Sequence, residues 1–270
     1  MKTHSPKKSA GSYSGKKLIV FDLDGTLTDS KTPIKADMIA TIGKLLAKKR
    51  MAVIGGGSWK QFQWQFVKYL KYRRELLENL YLFPTTSMSF YRHQRGGWKN
   101  IYKKTISAAE LKAIKKAFDT AYKKLGYEHP PKVYGEVLEN RESQVTFSPL
   151  GQDVVTVLGK KGLRMKEEWR KKNEKMKVKI ANMVQKQLPN LEVRRGGITS
   201  IDVTKKGIDK AYGVRKIEKT LHVPIKDMLF VGDALYKGGN DAAAKKTGVR
   251  TVQTSGPKET KKIIESVLRN

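Results

Sequence analysis

Leu18-Ile19-Val20-Phe21 is a four-residue apolar run that ends on Asp22-Leu23-Asp24-Gly25-Thr26. A short, uninterrupted apolar run fits a strand buried on both faces, as in a parallel sheet covered by helices. Two aspartates spaced i, i+2 would point their carboxylates to one side if the strand continued. Gly25 breaks it there. Ligands of open α/β sheets bind at the carboxyl ends of parallel strands. Two carboxylates held close together repel, so a divalent cation or a proton has to accompany them. Oxygen ligands select a hard cation, and Mg²⁺ fits best.

The rest of the composition narrows the chemistry. The chain of 270 residues has no cysteine, which excludes disulfides, thiolate metal sites and thiol nucleophiles. Its four histidines, His4, His93, His129 and His222, are scattered, which argues against a His-based zinc or triad site. No apolar run reaches the ~20 residues that span a bilayer, and the polar N-terminus lacks a signal region. A cytoplasmic protein without membrane contact is expected. The net charge of +31 is unusual. It raises nucleic-acid binding as one reading. The lysines occur in almost every segment rather than in one patch, which favours a compositional origin.

Strand and helix patterns alternate at both ends of the chain. Residues 1–16 are rich in Ser, Gly and Lys and read as a disordered basic tail. After the first strand, Asp37 to Arg50 has helical spacing. Met51 to Ile54 is a second buried strand, ending in Gly55-Gly56-Gly57-Ser58, where small residues let a backbone approach a phosphate. Trp59 to Leu80 reads as one helix, Leu80 to Phe83 as a strand and Pro84 to Ser87 as a loop. The texture then changes. Ser89 to Tyr102 reads as a hairpin, and Ser107 with Glu110 forms a capping box for a helix to Leu125. Lys166 to Leu188 is a second long, basic helix. Lys210 lies in a helix start running to about Leu221, and Met228 to Val231 is a buried strand ending in Gly232-Asp233. The pattern predicts an α/β protein: a Rossmann-like core with a parallel sheet at residues 17–88 and 196–270, and an inserted α+β cap at 89–195.

Asp-x-Asp-Gly-Thr-Leu-Thr after an apolar run resembles the first motif of the haloacid dehalogenase (HAD) superfamily of phosphoryl-transfer enzymes. Ser58, Lys210, and Gly232-Asp233 with Asp241 follow in the order and at the strand ends that this superfamily uses. The large insertion between Ser58 and Lys210 is similar to the type IIB cap. Within that class, Gly56-Gly57-Ser58, Glu139-Asn140-Arg141, Ser148-Pro149-Leu150-Gly151, Gly196 to Val203 and Gly238-Gly239-Asn240-Asp241 resemble the eukaryotic-type phosphomannomutases. Two departures stand out. Gln152 takes the place of an Arg that holds the substrate phosphate distal to the chemistry, and a second cap Arg has no counterpart among residues 153–162.

The resemblance implies Asp22 as nucleophile forming an aspartyl-phosphate, Asp24 as general acid and base, and Ser58 and Lys210 as catalytic contacts to the phosphoryl group. Lys206 is the nearby competitor for the lysine role. It implies Mg²⁺ held by Asp22, the main-chain carbonyl of Asp24, Asp233 and Asp241. Gly57, Arg141, Ser200 and Asp202 are the candidates for substrate contacts, and a homodimer through the cap is a further implication. Because the cap lacks those arginines, a Mg²⁺-dependent phosphatase acting on a sugar phosphate ranks first. A phosphomannomutase interconverting mannose 6-phosphate and mannose 1-phosphate is the alternative. A basic nucleic-acid-binding protein on the same scaffold is the second alternative.

Overall fold

The computed structural model describes Tyr13 and residues 15–269. The expected basic tail lies outside the described residues except for Tyr13, Gly15 and Lys16.

The first strand forms as its apolar run dictates. β1 (Leu18–Phe21) is wholly buried and sits in the middle of a seven-stranded sheet. Its neighbours are β2 (Arg50–Ile54) on one side and β10 (Met228–Gly232) on the other, both parallel to it. β3 (Leu80–Phe83) and β11 (Arg250–Gln253) extend the parallel set outward. Successive side chains of a strand point to opposite faces, and the two cores follow that rule. Ile19, Phe21, Met51, Val53, Leu229 and Val231 pack on one face with α1 (Ala36–Leu46) and α9 (Pro257–Arg269). Leu18, Val20, Ala52, Ile54, Met228 and Phe230 pack on the other with α8 (Lys210–Leu221). Both faces are covered, so the strands need apolar residues at every position.

The sheets divide the chain differently from the expected boundaries at 89 and 196. The hairpin β4 (Ser89–Gln94) and β5 (Gly97–Lys103) joins the core sheet, with β4 antiparallel to β3. Phe90 stacks on Phe83 at 4.5 Å, and Tyr91 stacks on Trp59 of α2 (Trp59–Gln65) at 3.7 Å. Those aromatic contacts bury the hairpin's apolar face on the core. At the other boundary, β9 (Ile201–Lys205) is a cap strand. It lies between β7 (Val145–Phe147) and β8 (Leu191–Arg195) in a four-stranded antiparallel sheet that β6 (Leu138–Asn140) completes. α5 (Ala108–Leu125) and α7 (Lys160–Gln187) cover one face of that sheet, with Phe118, Phe147, Ile180, Val184, Ile201 and Val203 at its centre. The expected capping box of α5 is present in both directions.

The single helix expected from Trp59 to Leu80 is broken. α2 ends at Gln65, and a short 3₁₀ turn and α3 (Arg74–Leu77) follow. The Gln65 carbonyl accepts from Ile34 N at 2.9 Å, and the Gln65 side chain turns inward to the Asp24 loop. Tertiary partners thus take over the groups that a continuing helix would use. The loop expected at Pro84–Ser87 is a turn of its own, α4, whose Thr85, Thr86 and Ser87 all have positive φ. In the cap, α6 (Val154–Leu158) precedes α7, which begins at Lys160, earlier than the expected Lys166.

Candidate active site

The carboxyl ends of β10, β1 and β2 lie side by side, so the loops that follow them converge. Asp22 follows β1, Gly55 to Ser58 follow β2, and Asp233 follows β10. Lys210, the first residue of α8, ties them together. Its Nζ donates to Asp22 Oδ1 at 2.5 Å and to the Ile54 carbonyl at 2.7 Å, and stands 3.3 Å from Asp241 Oδ1. Asp22 and Lys210 are each 3% exposed and Asp241 is 0% exposed. The competing Lys206 is exposed and belongs to no part of this cluster. Asp209, the N-cap of α8, accepts from Tyr212 N at 2.8 Å and fixes the helix start that aims Lys210 inward.

Asp22, Asp233 and Asp241 bring one carboxylate oxygen each to within 4.8 Å of one another. Burial pushes the Asp22 carboxyl well above the ordinary carboxylate range, and Asp241 and Asp233 push the same way against the opposing pull of Lys210. Burial, then Asp241, also raises Asp233. Burial works against the charge of Lys210, but Asp22 and Asp241 outweigh it and hold the ammonium in its charged form. Among the described residues, Asp241 Oδ1 has no hydrogen-bond donor of good geometry even though the ammonium is near. Three crowded carboxylates against one cation leave negative charge to be cancelled, and the donor set is all oxygen. A hard divalent cation fits it. Two glycines keep the space open. A Cβ on Gly25, whose φ is +84°, would lie 2.5 Å from Asp233 Oδ2, and one on Gly232 would lie 2.4 Å from Asp241 Oδ2.

The Asp24 carboxylate lies outside this cluster. It accepts from Lys31 N at 2.6 Å, Gln65 Nε2 at 2.7 Å and Gln61 Nε2 at 3.1 Å. Three donors aim it, and two of them come from one helix face, Gln61 and Gln65 of α2. Ser58 is the N-cap of that helix and accepts from Gln61 N at 3.3 Å. Gly57 must be small, because a Cβ there would lie 2.6 Å from the Gln61 amide. The loop is braced from behind by the left-handed turn: Thr85 N donates to Gly57 O and Thr86 N to Gly55 O, each at 2.9 Å. Three consecutive non-glycine residues at positive φ store on the order of 1–3 kcal/mol each, which only a rigid surround sustains.

The cap meets the core across a cavity of about 780 Å³, lined by Ser58, Trp59, Gln61, Tyr91, Arg141 and Gln152 among others. Arg141 pairs with Glu139 at 2.6 Å and also reaches the core, donating to Gly56 O at 3.3 Å. Gln152 Oε1 accepts from Arg141 Nη2 at 3.0 Å and from Lys31 Nζ at 3.4 Å. Asp202 accepts from Thr146 Oγ1 at 2.8 Å, and its charge reaches Lys31. Ser200 sits beside it, crowding Gly196, and neither residue lines the large cavity.

Gln61, Gln65, Lys31 and the Thr85–Ser87 turn escape the sequence reading. A pair of glutamines at i, i+4 behind Ser58 was the available signal, since it places two amide donors on one helix face.

A family model described as "Eukaryotic phosphomannomutase" matches residues 38–270. The chain belongs to the eukaryotic phosphomannomutase family. Among curated relatives it is similar to the phosphomannomutase of Encephalitozoon cuniculi, 26% identical over 262 residues and covering 94% of each chain. It is also similar to phosphomannomutase 1 of Homo sapiens, 27% identical over 233 residues, covering 83% of this chain and 81% of the relative. Among solved structures the fold resembles an IMP-bound Plasmodium falciparum IMP-nucleotidase (TM-score 0.67, 17% identity, 95% of this chain and 69% of that one). A haloacid dehalogenase-like hydrolase from Bacteroides thetaiotaomicron is a second neighbour (TM-score 0.58, 14% identity, 93% and 99%). Family and fold agree with the expected HAD core and make the chain an enzyme of phosphoryl transfer. The family match and the curated relatives favour the mutase, ranked second on sequence, over the phosphatase ranked first. No helix among the described residues is long and apolar enough to cross a membrane.

Proposed function

We propose that the chain is a phosphomannomutase, moving a phosphoryl group between the 6- and 1-oxygens of mannose through a phosphorylated Asp22. The observation that carries this reading is Lys210 spanning Asp22 and Asp241 at the end of β1, in a chain of this family. Asp22, the main-chain carbonyl of Asp24, Asp233 and Asp241 would hold Mg²⁺, which when bound cancels charge on the phosphoryl oxygens.

Starting from phosphorylated Asp22, a hydroxyl of the sugar monophosphate attacks phosphorus as the bond to the Asp22 oxygen breaks. The Asp24 side chain takes the hydroxyl proton. The bisphosphate turns over beneath the cap. Asp22 then attacks the other phosphorus, and Asp24 returns the proton to the leaving sugar oxygen. Lys210 neutralises charge beside Asp22 throughout, and the Gly57-Ser58 loop binds the group in transfer. Arg141 contacts the rest of the sugar phosphate from the cap, whereas Ser200 and Asp202, which do not line the cavity, act at most behind its wall. Gln61 and Gln65 are positioning residues that hold Asp24.

One observation favours hydrolysis as a second reading: Gln152 is uncharged where it bridges Arg141 and Lys31, so a water molecule has less competition from a firmly held sugar hydroxyl. The test is mannose 1-phosphate with Mg²⁺, with and without a hexose bisphosphate activator. Interconversion that needs the activator, without matching phosphate release, supports the mutase. Phosphate release without activator overturns it in favour of the phosphatase. A homodimer through the cap accompanies the mutase reading, and sedimentation at the mass of one chain would remove that part.

A further inference from the structure

The outer side of the cap carries charge that the cleft does not use. α7 holds eleven basic and three acidic residues, so 28 of the 270 residues supply +8 of the net +31. Along the sequence these cations look evenly scattered, but the helix sorts them. Lys161, Arg164, Lys171, Lys175, Lys179 and Lys186 recur at three- and four-residue steps. Glu168 and Asn182 fill the two remaining places, and all eight side chains are exposed. Residues so spaced form one stripe along a helix. The opposite side, with Trp169, Ile180, Ala181 and Val184, is buried in the cap. Two lysines lie on that inner side. Lys177 donates to the Gly197 and Ile198 carbonyls at 3.0 and 3.3 Å, and Lys166 is 5% exposed with no carboxylate paired to it among the described residues.

None of the six outer cations has an ion-pair partner among the described residues. Glu167 is taken by Arg170 and Glu174 by Arg195. A core helix behaves differently: on α9, Lys261 pairs with Asp37 and Arg269 with Glu265. At about 1.5 Å per residue α7 is about 42 Å long, and a cation stands on most of its turns. α5 covers the same face of the cap sheet. Its exposed Lys112, Lys116 and Lys123 share one side of that helix, with Asp119 the carboxylate among them. No residue of α5 or α7 lines the cavity between cap and core.

We propose that the outer face of α7, with the neighbouring lysines of α5, binds the phosphate backbone of a nucleic acid duplex without reading its sequence. A linear row of cations complements a linear row of phosphates, and a duplex presents one charge per about 1.7 Å of its axis. A small phosphorylated substrate needs no row of this length. The stripe has no aromatic side chain on which an unpaired base could stack, which selects the duplex over a single strand. It has no apolar side chain to enter a lipid surface either. Because the row stands apart from the cleft, duplex binding and phosphoryl transfer are separable.

The experiment follows binding of a mixed-sequence duplex of about 20 base pairs, as DNA and as RNA, by fluorescence anisotropy from about 50 to about 200 mM salt. Six phosphate contacts give a slope of about −5 in log affinity against log salt, a loss of about 10³-fold over that range. Lys171→Glu, Lys175→Glu and Lys179→Glu combined should weaken binding at the lower salt by at least about 10-fold and bring the slope to about −3. The same reversals at Lys44, Lys219 and Lys246, exposed lysines of the core, change the net charge equally. They should leave affinity within about 3-fold, because salt screens charges beyond about 10 Å. Glutamine at the three α7 positions should give a smaller loss of the same sign, which keeps the comparison readable if the glutamates disturb the helix. Binding of either duplex with this dependence on α7 supports the inference. No binding by the parent at the lower salt, equal losses from the α7 and core variants, or binding of anionic lipid vesicles in place of both duplexes would each overturn it.

Discussion

The floor of the site and its roof handle buried charge in opposite ways. On the floor, Lys210 is enclosed by Asp22, Asp241 and the Ile54 carbonyl, so cation and anions neutralise one another in the resting protein. In the roof, Arg141 pairs with Glu139, and Lys31 makes its direct hydrogen bonds to the neutral Gln152, with Asp24, Glu139 and Asp202 favouring its charge from further off. Both clusters sit where isolated charges are costly. The floor meets that cost within the fold because its chemistry needs a fixed geometry in every cycle. The roof meets it less directly, since the hydrogen-bond partners of Lys31 are the neutral Gln152 oxygens rather than a carboxylate. Floor and roof thus differ in ion pairing: direct and buried below, partly through a neutral amide above.

Four changes break or sharpen this contrast. The largest effect falls on the floor. Asp22→Asn should lower Mg²⁺-dependent phosphoryl transfer by at least about 10³-fold with an unchanged circular dichroism spectrum, and retained turnover in initial-rate assays would remove the phosphorylated-aspartate mechanism. Next, Lys210→Met leaves Asp22 and Asp241 facing each other without a cation, and should cost about 3–5 kcal/mol of stability, read by denaturant unfolding. Lys166→Met should cost none, so equal losses from the two variants would erase the distinction.

The third test uses pH. Burial, followed by repulsion from Lys31, pushes the Lys166 ammonium down to about 8 from its ordinary 10.5. Between these values the unfolded chain binds a proton that the folded chain lacks, so stability rises with pH across that window. The cost is fully present below about pH 8, and up to about 3 kcal/mol of it is relieved by pH 10. Unfolding curves from pH 8 to 10 should show a rise in the parent that is smaller in Lys166→Met. A parallel pair of curves would mean that Lys166 carries no buried charge. The smallest effect concerns Asp24. Gln65→Leu removes one of its three donors and should lower kcat by about 10-fold with little change in KM, and a change confined to KM would argue against a positioning role.

Much of the floor was legible in order along the chain. Asp22, Asp24, Ser58, Lys210, Asp233 and Asp241 each follow a strong local signal, an apolar run or a glycine-rich end, and parallel packing places those ends together. Even the choice between Lys206 and Lys210 followed from motif position, and burial agrees with it. The roof was less legible. Arg141 was picked out as a candidate and lines the cavity, whereas Lys166 looked like one lysine among many on a basic helix, because a helix period does not say which cation the fold encloses. The hairpin at 89–103 and strand β9 were recognised as extended, yet assigned to the wrong side of the core–cap boundary. Edge pairing is a contact between distant segments and leaves no periodicity in either one.

What the chain determined by itself was the α/β class, the central buried strand and the acidic and basic groups at strand ends, since burial on both faces and breaks at glycine are local properties. Only the tertiary structure decided which charges are paired. Gln61 and Gln65 reach Asp24 because α2 ends where the Gln65 carbonyl meets Ile34, and Lys31 has a neutral hydrogen-bond partner because the cap places the Gln152 amide between it and Arg141. Electrostatic partnership depends on distances across the fold, and no spacing along the sequence encodes those.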